Sequence, residues 1–266
     1  MHKLLAQKIE ELRRLIGDTR SASFLLAVSG GMDSMCMADL FLNEVGADSF
    51  AVAHCNFHLR GEESDGDEAL VRDWADSKGV RVHRVDFDTV SYAEEHGVSI
   101  EMAARDLRYG WFEQLCDEFG YDVVVVAHNA NDNAETLMLN LLRGTGLNGL
   151  HGMAEMTILS SKVLLFRPLL EVTRKQIEGY VLAHKVPYRH DSSNFESDYK
   201  RNRIRNEVFP IFEKVNPSFV KTLNREIGYF AEAGSIVGDW CRSQLSNVIN
   251  ERSEDSLSML TPCSSA

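Results

Sequence analysis

Thiols are too few and too scattered in this chain to act together. The five cysteines stand at Cys36, Cys55, Cys116, Cys241 and Cys263, an odd number with no Cys-x-x-Cys pair. Such spacing argues against a disulfide framework, a zinc ribbon and an iron-sulfur site, and fits a reducing cytoplasm. Long apolar runs are missing as well: none approaches the roughly 18 residues that a membrane-spanning helix needs. The N-terminus lacks the apolar block of a signal peptide, because Leu4, Leu5, Ile9, Leu12, Leu15 and Ile16 recur at helical intervals among Lys, Gln, Glu and Arg and predict an amphipathic helix. Positive charge is the third shortage. With 28 Lys and Arg against 40 Asp and Glu the net charge is −12, which counts against broad nucleic-acid binding, since phosphate neutralisation supplies most non-specific affinity. Acidic residues crowd into 61–76, whereas Tyr199-Lys200-Arg201-Asn202-Arg203-Ile204-Arg205 is a compact cationic stretch, so any RNA contact is expected to be local.

The rest is ordinary for a globular protein: 266 residues, 44% hydrophobic and 26% charged, enough for one large domain or for a domain with a smaller appendage. Strand and helix signals alternate. Ser23 to Val28 predicts a strand, 29–34 a loop and Met35 to Val45 a packed helix; Phe50 to His54, Ser64 to Lys78 and Val80 to Phe87 predict strand, helix and strand. Ser99 to Phe119 reads as a long helix capped by Ser99 and stopped by Gly120. Four consecutive valines within Asp122 to Ala127 predict a strand covered on both faces, at the sheet centre. A helix over Asn131 to Leu142, a glycine-rich turn, a strand near Val163 to Phe166 and a helix near Arg174 to His184 follow. Together these give a doubly wound, mostly parallel α/β fold. Beyond Pro187 irregular polar residues run to Arg205; helices are expected around Glu207 to Lys214 and Pro217 to Gln244, then a Ser-rich, poorly ordered tail after Asn250. The expected division is a catalytic domain over 1–215 and, over 216–266, a helical linker or incomplete C-terminal domain.

Ser29-Gly30-Gly31-Met32-Asp33-Ser34 lies where a strand ends and a helix begins, so its backbone N–H groups and the helix dipole can hold an anion. Side chains at Gly30 and Gly31 would obstruct the phosphates; the Ser29 and Ser34 hydroxyls can add hydrogen bonds. An acidic residue there makes sense beside a divalent cation, with Asp33 as a Mg²⁺ ligand. A tight turn with Asp33 merely capping the helix is the competing reading. The segment lacks the Gly-Lys-Ser/Thr of a P-loop and the spaced glycines of a dinucleotide fold.

The hexapeptide resembles the signature of the PP-loop (N-type) ATP pyrophosphatases, which implies a Rossmann-like fold and cleavage of ATP between the α and β phosphates. Further blocks, among them 54–64, Glu101 to Tyr109, Ala127 to Thr136, Leu141 to Gly152, Arg167-Pro168-Leu169-Leu170 and Asn202-Arg203-Ile204-Arg205, are similar to the tRNA(Ile)-lysidine synthetase family in the same order over residues 23 to about 217. The resemblance implies a ligase that adenylates the wobble cytidine of the tRNA(Ile) with a CAU anticodon and joins L-lysine to it, releasing pyrophosphate and AMP. It implies ATP contacts from 29–34 and Arg108, a catalytic set of Asp33, His128, Asp132 and Arg203 (Arg205 second), and substrate or tRNA contacts from Arg143, Lys200, Arg201 and Arg205. His128 and Asp132, four residues apart, are expected on one helix face, where either could orient the lysine amine or take its proton. Arg105 and Arg108 could meet phosphates or pair with Glu101 or Asp106. The family's usual His-His-Ala-Asp-Asp-Gln reads here His128-Asn129-Ala130-Asn131-Asp132-Asn133, which puts Asn131 in question as a metal or amine contact. Two other classes compete: a tRNA thiolation enzyme, disfavoured by the missing Cys-x-x-Cys, and a non-catalytic nucleotide- or RNA-binding scaffold, motivated by the three asparagines. A homodimer is one candidate assembly.

Overall fold

The computed structural model describes residues 1–16, 22–160, 163–189 and 199–250. Its centre is a six-stranded sheet built from β1 (Phe24–Ala27), β2 (Phe50–Asn56), β3 (Arg81–Asp86), β4 (Val123–Val125), β5 (Met156–Ile158) and β6 (Leu164–Phe166), in the order β3-β2-β1-β4-β6-β5. All neighbours run parallel except the edge pair β5 and β6. The valine run is buried on both faces, as its composition predicts. Val123 and Val125 pack with Phe24, Leu26, Phe41 and Ile177 on one side, and Val124 and Val126 pack with Leu25, Phe112 and Leu165 on the other.

The first face is covered by α1 (His2–Ile16), α2 (Met32–Val45), α3 (Glu62–Lys78) and α8 (Arg174–His184). The other face carries α5 (Ile100–Phe119), which Ser99 caps through the Met102 N–H and Gly120 ends in the left-handed conformation, as expected. Two short helices escape the periodicity: α4 (Thr89–His96), capped by Asp88, and α7 (Leu147–Leu150). The antiparallel β5 has three residues, too few to show alternation. Lys8 is tied across the sheet edge, its Nζ 2.6 Å from Glu155 and 2.8 Å from Glu171.

The chain winds outward from β1 to β2 and β3, then crosses back to place β4 on the other side of β1. At that switch point α2 leaves β1 and α6 (Ala130–Arg143) leaves β4, so two helix starts face one crevice at the carboxyl edge of the sheet. Tyr199–Arg203 forms a helix, α9, rather than the irregular segment expected up to Arg205, and a π-turn over Ile204–Val208 leads into α10 (Phe209–Val215) and α11 (Phe219–Asn250). Ile204, Phe209, Phe219 and Val220 pack on Ala130 and Ala134, fastening this C-terminal part to α6. The tail expected after Asn250 lies outside the described residues.

Candidate active site

The diglycine loop is shaped by its own backbone and two hydroxyls. Gly30 takes φ +91°, open to glycine and costly to other residues. Gly31 is the N-cap of α2, which begins at Met32, three residues earlier than the sequence suggests. The first backbone bond into the helix runs from the Met35 N–H to the Gly31 carbonyl at 3.0 Å, so the amides of 32–34 form the open first turn. The Ser34 hydroxyl donates to the Gly31 carbonyl at 3.0 Å and accepts from the Ser29 N–H at 3.2 Å, while Ser29 Oγ accepts from the Gly31 N–H at 3.4 Å. Both serines thus hold the loop closed on itself, a tighter role than the free phosphate donors that the sequence suggests.

Asp33 stands in the first turn of α2, whose N-cap is Gly31 and not Asp33. Its Oδ1 is buried with no hydrogen-bond partner among the described residues. Burial, and after it the charge of Asp132, push its carboxyl up to about 6, against Arg174, a hydrogen bond from Asn129 and Arg205, which pull it down. A buried carboxylate oxygen without a donor, beside a second carboxylate, is an oxygen set that suits a hard divalent cation. The residues therefore fit Mg²⁺.

The asparagine-rich motif heads α6, and each member has a defined task. Asn129 caps the helix by accepting from the Asn131 and Asp132 N–H groups, and Asp132 Oδ2 reciprocates by accepting from the Asn129 N–H at 3.0 Å. Asn131 Oδ1 accepts from the Arg174 N–H at 3.0 Å, fixing the start of α8 to that of α6. Asn133 donates to Asn224 of α11 at 2.9 Å and accepts from the Met153 N–H at 2.7 Å. Each of the three asparagines thus has hydrogen-bond partners, and Asn131 fastens the Arg174 backbone.

His128 lies in the extended segment before α6, so the helical-face argument pairing it with Asp132 does not describe its position. Its Nδ1 is buried, with no hydrogen-bond partner among the described residues. Burial first, then the charges of Arg167, Arg201, Arg108 and Arg105, push the imidazole down to about 4. It is neutral at physiological pH and too weak a base to hold a proton there. Arg108 sits 5.1 Å over the Phe57 ring and Arg105 4.8 Å over Tyr109, contacts that replace the helix-surface ion pairs weighed from sequence. Arg167, buried beside them, donates to the Ala154 carbonyl at 2.8 Å; no sequence signal beyond its conspicuous Arg-Pro step marks it.

Of the Asn202 to Arg205 motif, Arg205, the second of the two candidate arginines, is the residue brought to the acidic pair. It reaches Asp132 Oδ1 at 3.4 Å and grips Glu135 at 2.7 and 2.8 Å. Arg203 forks onto Glu207 on the exposed side. Arg201 pairs with Glu135 at 3.0 Å and donates to Thr136 Oγ1, so it too is engaged inside the protein. Lys200 is exposed at the start of α9. Arg143 is exposed at the far end of α6, about 16 Å along the helix from Asp132 at 1.5 Å per residue. Glu135, 1% exposed, is the residue that sequence reasoning misses; its position one turn beyond Asp132 is the available signal. A cavity of about 400 Å³ opens next to Arg205, lined by Asn131, Thr173, Lys175, Gln176 and Lys221 among others.

A profile of the PP-loop domain matches residues 4–212. The tRNA(Ile)-lysidine synthase of Porphyromonas gingivalis strain W83 is 49% identical over 201 residues, which are 76% of this chain and 43% of the relative. That of Chlorobaculum tepidum is 40% identical over 216 residues, 80% of this chain and 64% of the relative. The chain therefore spans only part of the length of the curated relatives it matches. Among solved structures, the U34-tRNA thiolase NcsA from Methanococcus maripaludis superposes with a TM-score of 0.66 at 17% identity, covering 86% of this chain and 79% of that one. NMN synthetase from Francisella tularensis gives 0.54 at 11% identity, covering 88% and 94%. Both show a shared fold. The profile match runs from the first helix through the arginines of 201–205 and takes in both helix starts that frame the crevice: the chain belongs to the PP-loop domain family.

Proposed function

We propose that this chain carries the chemistry of a tRNA(Ile)-lysidine synthase: ATP adenylates the wobble cytidine of tRNA(Ile), and L-lysine then displaces AMP. The observation that carries it is the unpartnered, buried Asp33 carboxylate oxygen beside Asp132, Arg174 and Arg205 at two facing helix starts, supported by relatives of that name at 40–49% identity. In the first step the cytidine carbonyl oxygen attacks the α-phosphate and pyrophosphate leaves. Asp33, with Asp132 near it, would hold Mg²⁺, which when bound neutralises charge on the phosphate oxygens. The open amides of 32–34 and the guanidiniums of Arg174 and Arg205 add preorganised positive potential where charge develops. In the second step the lysine ε-amine attacks the activated carbon. The neutral His128, its Nδ1 unpartnered, can accept a hydrogen bond from that amine and orient it, while proton removal falls to a carboxylate or water, because an imidazole at about 4 cannot retain the proton. The cavity beside Arg205 has the size of a small co-substrate site.

Sulfur transfer is the competing reaction, and the thiols speak against it. Burial pushes Cys36, Cys55 and Cys116 each up to about 12, so none of these three is a thiolate at neutral pH, and no two cysteines are paired as Cys-x-x-Cys. Incubating the chain with ATP, Mg²⁺, labelled lysine and tRNA(Ile) with a CAU anticodon is expected to give AMP, pyrophosphate and lysine in RNA in equal amounts; AMP without lysine incorporation would sink the proposal. Lys200 and Arg203 are exposed, the latter paired with Glu207, and are the residues expected to touch tRNA phosphates. Lys200→Ala with Arg203→Ala should weaken tRNA binding and make the slope of log K against log salt shallower, less negative by about 1.8. An unchanged slope would place the RNA elsewhere.

A further inference from the structure

The pyrophosphate loop is gripped from outside by residues with no part in the chemistry above. After α8, Lys185 turns the chain at φ +55°, and Val186 and Tyr188 pack into the core. This returns Arg189 to the loop, where its N–H donates to the Gly30 carbonyl at 3.0 Å and the two strands form a one-residue parallel bridge at Gly31. The Arg189 side chain then crosses α3: its Nε donates to Asp67 Oδ1 at 2.9 Å, and Arg60 donates to Asp67 Oδ2 at 2.7 Å. Asp67 is buried and also abuts the loop sterically, since a Cβ on Gly30 would lie 3.2 Å from its Cβ and carbonyl oxygen. Gly66, inside a helix where glycine is normally unfavourable, lies under the same side chain: a Cβ there would sit 2.8 Å from the Arg189 guanidinium carbon, so the guanidinium would have to shift.

We infer that Asp67, Arg189 and Gly66 are positioning residues that lock the orientation of the Gly30-Gly31 peptide for phosphate binding. Two adjacent glycines leave this peptide few steric restraints of its own, and a flipped peptide would turn a carbonyl oxygen toward an anion. With the carbonyl held by the Arg189 N–H and the Gly31 N–H held by Ser29 Oγ, both ends are fixed. The Asp67 carboxylate anchors the Arg189 side chain and through it the backbone amide that does the holding. The inference rests on the loop binding ATP, as proposed above, but not on lysine being the second substrate.

The test measures equilibrium binding of the Mg²⁺ complex of a non-hydrolysable ATP, thermal midpoint and KM for lysine in Gly66→Ala, Asp67→Asn, Arg189→Ala and Arg189→Lys. Gly66→Ala, Asp67→Asn and Arg189→Ala are expected to weaken nucleotide binding about tenfold, with KM for lysine unchanged. Arg189→Lys, which can still reach Asp67, should recover most of the affinity. Arg189→Ala is decisive, because it deletes the tie to Asp67 while leaving the backbone N–H in place: a merely structural role predicts lower stability with unchanged nucleotide affinity in the folded protein, whereas the lock predicts weakened affinity in the folded protein. Wild-type affinity in folded Arg189→Ala overturns the inference, even if Asp67→Asn fails to fold. Should the wild type transfer no lysine, weakened nucleotide binding in these variants would still uphold the lock while the lysine reading fell.

Discussion

Asp33→Asn is expected to abolish turnover, by about a thousandfold or more, and at the same time to make the nucleotide-free protein more stable above pH 6. The folded-state pKa of Asp33, about 6, lies above the ordinary 3.8, chiefly through burial and then the neighbouring Asp132. A carboxyl raised in this way costs nothing where it is protonated in both states, below about pH 4. Its cost grows between 4 and 6 and is full above 6, on the order of 3 kcal/mol, since each tenfold change in proton affinity is worth about 1.4 kcal/mol. Asparagine removes the charge and keeps the shape. Urea unfolding without Mg²⁺ or nucleotide should therefore show a gain at pH 7.5 that disappears by pH 4. His128 gives both proteins the opposite slope: its pKa is depressed to about 4, so stability falls as pH drops from 6.5 toward 4. Taking the difference between variant and wild type cancels that contribution. Addition of Mg²⁺ and nucleotide should reverse the order, because only the wild type gains ligand-linked stability. A variant less stable than wild type at pH 7.5, or a gain that does not vary with pH, would show that Asp33 is held by partners and not poised for a cation.

The division between what the sequence discloses and what it hides follows interaction range. Local chemistry reads well: Ser99 and Gly120 bound α5 as their capping and left-handed preferences dictate, and the valine run at 123–126 announces a strand buried on both faces. The diglycine loop is legible because a strand, a glycine pair and a helix are adjacent in sequence. What fails is whatever depends on contacts between distant segments. Arg203 and Arg205 differ by two positions, and nothing in their composition reveals that a π-turn over 204–208 carries Arg205 under α6 while Arg203 closes on Glu207. The asparagines of 129–133 look like degeneration until their partners Arg174, Met153 and Asn224 are known, the first 43 residues away from Asn131 and the last 91 from Asn133. The four-residue spacing of His128 and Asp132 suggests a shared helix face, but the cap at Asn129 starts the helix just beyond His128.

The cluster around Glu135 carries the second large effect. Glu135→Ala is expected to lower stability by about 3 kcal/mol or more and to reduce turnover with it. The carboxylate is 1% exposed and accepts from Arg201 at 3.0 Å and from Arg205 at 2.7 and 2.8 Å. Removing it leaves two guanidiniums, 28% and 35% exposed, without the charge they are folded around. Breaking one partner of such a cluster costs more than the cluster contributes, because the remaining charges stay partly desolvated. Replacing all three at once (Glu135→Leu, Arg201→Met, Arg205→Leu) separates packing from function: stability should return to within about 1 kcal/mol of wild type while turnover stays lost. Stability restored together with turnover would remove Arg205 from the catalytic account. A triple variant as unstable as Glu135→Ala would mean that the ion cluster itself, and not the cost of breaking it, accounts for the loss. The expected outcome leaves one explanation for three charges gathered beside Asp132. They join the α9 segment to α6 at the point where Arg205 meets Asp132, and under the proposed function that placement would serve the reaction, since an apolar contact of the same size would serve the fold equally well.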